Sequence, residues 1–195
     1  MNTAKPKLMS NVKHDDMQTP PYAITPILPF LNKENTIWEC ACGKGNLVKA
    51  FRDLGYKVIG TDIEHDFLKN DLHEHWDCIV TNPPYSLKDE WIARCYELGK
   101  PFALLMPLTA LEGIFRGALY KKYGVQLIIP NRRVNFITPN GGSSSWFQTA
   151  WFCYRLKLPT DLMFVNMERD EIIKKPTQNI IKEINPHIDN DLWKW

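Results

Sequence analysis

The chain has 195 residues, 44% of them hydrophobic, and a net charge of +2. Its length fits one domain with a real core, and its composition excludes an intrinsically disordered chain. So small a charge does not mark a nucleic-acid binder by itself, though it leaves room for a local basic patch.

Residues 1–18 are polar and read as a loose leader. Thr19 to Pro29 carries four prolines with Tyr22, Ile24, Ile27 and Leu28 between them, and leads into a short helix. Thr36 to Ala41 reads as a first strand, and Gly43-Lys44-Gly45 as a tight turn. Leu47, Val48, Phe51 and Leu54 then recur at helical spacing, and Gly55 is a helix stop. Lys57 to Asp62 is a second strand ending in an acid, and Asp77 to Thr81 another, entering Asn82-Pro83-Pro84-Tyr85.

A helix over Asp89 to Leu98 puts Trp91, Ile92, Cys95 and Leu98 on one face. Pro101 to Met106 is an unbroken apolar strand. Leu111 to Tyr123 reads as a helix with Lys121 and Lys122 near its C-terminal end, where the helix dipole favours cations. Val125 to Ile129 and Thr149 to Leu156 are β-type runs. Between them, Gly141-Gly142-Ser143-Ser144-Ser145 reads as a mobile loop. Strands alternating with helices predict an α/β fold: a mostly parallel sheet covered on both faces, ending in an antiparallel strand pair. A folded domain is expected over 19–156. Beyond it lies a polar tail over 157–195, with Trp193 and Trp195 docked back on the domain.

Five cysteines without regular spacing argue against a disulfide framework. Cys40 and Cys42 lack a second pair at zinc-site spacing and read as small buried side chains. His73 and His75 stand two residues apart, which does not put two ligands on one helical face. No metal is expected. The chain shows no signal-peptide pattern and no apolar run long enough to span a bilayer, so no membrane is expected and the cytoplasm is the expected compartment.

The chemistry concentrates in two places. Asn82 offers an amide oxygen at a strand end, Pro83 and Pro84 offer carbonyls without competing N–H groups, and Tyr85 offers a flat aromatic face. That set suits a planar molecule bearing an NH2 group, a nucleobase or a carboxamide. Upstream, Gly43 and Gly45 let the backbone approach a ligand, a helix N-terminus follows, and Asp62 can take both hydroxyls of a ribose. Such a turn also serves plain packing in many α/β proteins. Val48 stands where a dinucleotide fingerprint needs its third glycine, and no Gly-Lys-Ser/Thr makes a P-loop. Glu39, just before the turn, would repel a diphosphate and attract an ammonium or sulfonium, which points to S-adenosylmethionine (SAM).

With both sets in view, the chain resembles the amino-group DNA methyltransferases of the adenine-N6 type. The resemblance rests on Glu39-Cys40-Ala41-Cys42-Gly43-Lys44-Gly45-Asn46 followed by Asn82-Pro83-Pro84-Tyr85, and covers about residues 19–156. It implies a Rossmann-like class I SAM-dependent methyltransferase fold, with SAM as cofactor. Glu39, Cys40, Ala41, Gly43, Gly45, Asp62, Ile63 and Asn82 match its cofactor positions. Asp71 matches a third-strand acid that binds the adenine amino group of SAM. Thr19, Pro20 and Tyr22 look like the motif that closes the methionine end, in a gamma-like order. Compact phage and prophage members look most similar, which implies a bacterial or phage-infected cytoplasm.

The implied reaction is methyl transfer to the exocyclic N6 amine of adenine in DNA, with Asn82, Pro83, Pro84 and Tyr85 as catalytic residues. Tyr85 would stack on a base taken out of the helix, with Phe136 or Trp146 as the second ring. Arg132 and Arg133 are candidates for phosphate contact. Little chain is left for a large recognition domain, so specificity is expected from short loops or a separate partner of a monomer or weak dimer. RNA adenine and protein glutamine-N5 acceptors remain open, as does a non-catalytic SAM- or nucleic-acid-binding module.

Overall fold

A computed structural model describes residues 17–145 and 147–167. The leader up to residue 16, Trp146 and the tail with Trp193 and Trp195 lie outside the described residues.

Among the described residues, nine strands and three α-helices follow in chain order. They are β1 (Thr36–Glu39), α1 (Asn46–Asp53), β2 (Lys57–Gly60), β3 (Cys78–Thr81), α2 (Lys88–Leu98), β4 (Phe102–Pro107), α3 (Ile114–Tyr123), β5 (Gln126–Pro130), β6 (Phe136–Ile137), β7 (Ser143–Ser144), β8 (Thr149–Tyr154) and β9 (Leu162–Val165). Seven strands form one sheet in the order β2-β1-β3-β4-β8-β5-β9. The pairs β1–β2, β1–β3, β3–β4 and β5–β9 are parallel. Strand β8 runs antiparallel between β4 and β5, which gives the expected C-terminal antiparallel pair.

Side chains alternate across this sheet because the strand period is two. Ile37, Val58, Val80, Leu105 and Trp151 face one way, onto Leu47 and Phe51 of α1 and onto Ala23, Ile24 and Ile27. Trp38, Ile79, Leu104 and Phe152 face the other way, onto Trp91, Ile92 and Cys95 of α2. The N-terminal stretch is pinned at a distance in sequence, where Trp151 Nε1 donates to the Ala23 carbonyl at 3.0 Å.

Several sequence expectations are corrected. No strand forms between β2 and β3; residues 61–77 run as turns and coil. That stretch is held instead by rings, with Phe67 and Trp76 packed on Trp38, and by Asp77 Oδ2 accepting from the Thr36 amide at 2.7 Å. Helix α3 begins at Ile114 rather than Leu111, because residues 108–111 form a 3-10 turn and Gly113 adopts φ 117°. The Gly-Ser segment is not an open loop: Ser143 and Ser144 pair with Ile137 and Phe136. Beyond Pro159 the chain adds an edge strand, β9, whose Met163 and Val165 pack against the core while Leu162 and Phe164 stay exposed, so its apolar run carries no polar alternation.

Candidate active site

The chain leaves β1 for β2 on one side and continues into β3 on the other. A crevice therefore opens beyond the carboxyl ends of β1 and β3, where open α/β sheets bind ligands. A cavity of about 750 Å³ occupies that place, within the usual range for a small-molecule site.

Glu39 ends β1 and Thr81 ends β3, and both are buried. The Thr81 hydroxyl donates to Glu39 Oε1, and the Ala41 amide donates to the same oxygen at 3.2 Å. Burial pushes the Glu39 carboxyl up to about 8; the Thr81 and Ala41 hydrogen bonds oppose that rise, and Asp62 adds a smaller push. A buried acid in a cleft, with its pKa raised by desolvation, is a candidate functional group.

The turn after β1 has the backbone that its glycines allow. Gly43 adopts φ 51° and Gly45, at the N-cap of α1, φ 79°, a region that other residues seldom enter. A Cβ on Gly43 would lie 2.6 Å from Gln18 Oε1. That oxygen accepts from the Lys44 amide at 2.8 Å. The Gln18 backbone exchanges two hydrogen bonds with Ile137 of β6, at 2.9 and 2.8 Å. Gln18 thus joins the glycine turn to the β6–β7 hairpin. The sequence carries no local signal for this link.

Asn82 follows β3. Its Oδ1 is buried and has no hydrogen-bond partner among the described residues. Pro83, Pro84 and Tyr85 continue the cleft wall. Tyr85 meets two rings edge to face: Phe136 at 6.4 Å and 88°, and Phe147 at 5.9 Å and 80°. Phe147 was not anticipated; the neighbouring Trp146 lies outside the described residues.

Most of the expected site residues share this cleft. Thr19, Glu39, Cys40, Ala41 and Gly43 line it, as do Asp62, Ile63, Asn82 and Phe136. Four do not. Gly45 caps α1, Pro20 caps a 3-10 turn over Pro21–Ile24, and the Tyr22 hydroxyl accepts from the Asn135 amide at 2.8 Å. Asp71 pairs with Arg94 and stays largely exposed, because no strand carries it to the sheet edge. Asp66 lines the cleft in that region, next to Phe67. Phe67 stacks on Trp91 at 4.3 Å with an interplanar angle of 24°, and both rings line the cleft. Trp91 shows in the sequence as part of a helix stripe, but nothing there ties it to the cleft. Arg132 and Arg133 lie outside the cleft, on a separate cavity.

This chain has the fold of the class I SAM-dependent methyltransferases. It superposes on the crystal structure of a candidate class I SAM-dependent methyltransferase from Listeria monocytogenes with a TM-score of 0.55 and 16% identity, covering 89% of this chain and 72% of that one. No protein-family model matches the chain, and no curated protein matches it.

Proposed function

We propose that this protein transfers a methyl group from SAM to the exocyclic N6 amine of adenine in DNA. The observation that carries the proposal is Asn82 Oδ1, a buried acceptor left without a donor at the switch point of the sheet. An unsatisfied buried acceptor costs about 1–3 kcal/mol, so its place beside an aromatic pair calls for an incoming donor. An NH2 group on a flat ring supplies one.

The residues of the cleft fit SAM. Glu39, once ionised, would hold the ammonium of the amino-acid part, and Asp62 the ribose hydroxyls. Phe67 on Trp91 offers a flat surface for a purine. SAM contributes an activated methyl group, so the protein has no need to create a strong electrophile.

What remains is to make the adenine amine nucleophilic. Its lone pair is delocalised into the ring. Asn82 Oδ1 and the Pro83 carbonyl would accept its two hydrogens and favour a pyramidal nitrogen with a directed lone pair. Held by Asn82 Oδ1 and the Pro83 carbonyl, the amine would take the methyl group that SAM supplies and release its surplus proton to water. Positioning lowers the barrier, and acceptors aimed at the developing positive charge add to it. Tyr85, with Phe147 or Phe136, would grip the base; such stacking is worth roughly 1–3 kcal/mol per base.

The test is radiolabelled SAM with DNA, RNA and a glutamine-bearing protein as acceptors, followed by nucleoside analysis. N6-methyladenine in DNA is the expected product. The variant Asn82→Ala is expected to abolish transfer while SAM binding survives. Near-normal turnover by that variant would sink the assignment.

A further inference from the structure

A second cavity, of about 340 Å³, opens where β5 ends and β8 begins. Asn131, Arg132, Arg133, Gln148 and Thr149 line it, with apolar neighbours and no carboxylate. Thr149 is 4% exposed, yet its Oγ1 has no hydrogen-bond partner among the described residues. Its cross-strand neighbour is Pro107, which has no N–H. A buried hydroxyl in this state calls for an external partner.

The other walls indicate which partner. Asn131 is committed to the protein: its Nδ2 donates to Asn166 Oδ1 at 2.8 Å, and its Oδ1 accepts from the Met167 amide at 3.1 Å. Arg132 is exposed and forms no hydrogen bond or ion pair among the described residues. Arg133 also lines the cavity, and its Nη1 reaches the Ser145 carbonyl at 3.4 Å. The exposed Arg132 guanidinium and a buried hydroxyl, with no carboxylate in the lining, suit an oxyanion.

The position narrows the source. Phe147 lines the main cleft, while Gln148 and Thr149 line the second cavity. One or two residues of extended chain, roughly 3–7 Å, separate the two walls. We infer that the second cavity holds a backbone phosphate of the nucleic-acid strand whose base enters the main cleft. Thr149 Oγ1 donates to it, and Arg132 supplies the charge. This inference rests on the proposed nucleic-acid acceptor and adds a site to it.

The experiment measures binding of a labelled DNA oligonucleotide to the full chain across a salt series, for the parent, Arg132→Ala, Thr149→Val and Thr149→Ser. Thr149→Val is expected to weaken binding about 10-fold, the loss of one hydrogen bond to a charged group, and Thr149→Ser to restore it. Arg132→Ala is expected to reduce the slope of log affinity against log salt by about one. SAM affinity should stay within about twofold of the parent in all three variants, since none of these residues lines the main cleft. Without DNA, Thr149→Val should be no less stable than the parent, because the lost hydroxyl satisfied nothing. Unchanged affinity in Thr149→Val together with an unchanged salt slope in Arg132→Ala would overturn the inference. So would loss of 5′-mononucleotide binding with DNA affinity intact, which would assign the cavity to a free phosphate compound. The two proposals fail separately. Weakened DNA binding without N6-methyladenine keeps the phosphate site and removes the acceptor assignment, whereas equal adenine methylation at equal KM by Arg132→Ala and Thr149→Val does the reverse.

Discussion

Thr81 donates its hydroxyl to Glu39 across two neighbouring parallel strands. Both residues are buried, and they end β3 and β1 at the mouth of the cleft. The hydroxyl is one of two donors that hold the Glu39 carboxyl below the value that burial alone would impose. Thr81→Val should therefore raise the Glu39 pKa further and leave the charged form less stable. A hydrogen bond to a charged group contributes about 1.5–3 kcal/mol, so SAM affinity at pH 7 should drop at least about 10-fold. Calorimetric titration checks this; unchanged affinity would detach Glu39 from cofactor binding.

Glu39 also sets a pH dependence. Its carboxyl moves from an ordinary 4.5 to about 8 in the fold, so the folded state keeps a proton that the unfolded state loses. Stability of the ligand-free protein from this group is complete below about pH 4.5 and is lost as pH rises through about 8. The midpoint of thermal unfolding should fall over that window, and Glu39→Gln should flatten the fall. Binding of a cation needs the ionised form, so SAM affinity should climb over the same window. A midpoint that rose through it would contradict the burial of this acid.

Gly43 and Gln18 make a mechanical prediction. Gly43→Ala forces a side chain into φ 51° and brings its Cβ to 2.6 Å from Gln18 Oε1. Gln18 can swing away only by releasing the Lys44 amide. Adding a Cβ at positive φ usually costs more than about 1 kcal/mol, which lowers the unfolding midpoint by about 2–4 °C in a chain of this size. SAM affinity should fall as well, and Gln18→Ala in the same chain should recover part of the midpoint. A midpoint equal to the parent's would remove the strain argument.

Phe147 stands edge to face with Tyr85 at 5.9 Å. Phe147→Ala should raise the KM for the proposed nucleic-acid acceptor by about 5- to 160-fold, the range that one base-stacking contact covers, with SAM affinity unchanged. Phe136 is 3% exposed and belongs to the core, so Phe136→Ala should also cost about 3–5 kcal/mol of stability. Steady-state kinetics and denaturant unfolding separate the two rings. An acceptor KM that moved only with Phe136 would leave Phe147 as packing.

Much of the site could be read before any tertiary structure. A strand end, a glycine turn and a helix start are local events, set by the strand period, by the freedom of Gly43 and Gly45, and by the spacing of Leu47, Val48 and Phe51. Asn82 at the close of an apolar run is equally local. So was the alternation that implied a parallel sheet with helices on both faces.

Other features depended on which strands pair. The strand order sets β8 between β4 and β5, which brings Phe147 to the main cleft and Gln148 and Thr149 to the second cavity. Without a strand between β2 and β3, Asp71 turns outward to Arg94 while Asp66 lines the cleft. Gln18 meets Lys44 and Ile137, and Phe67 meets Trp91, only once the chain has folded. Propensity and periodicity act over a few residues, whereas these contacts join positions tens of residues apart, and only burial of both sheet faces together selects them.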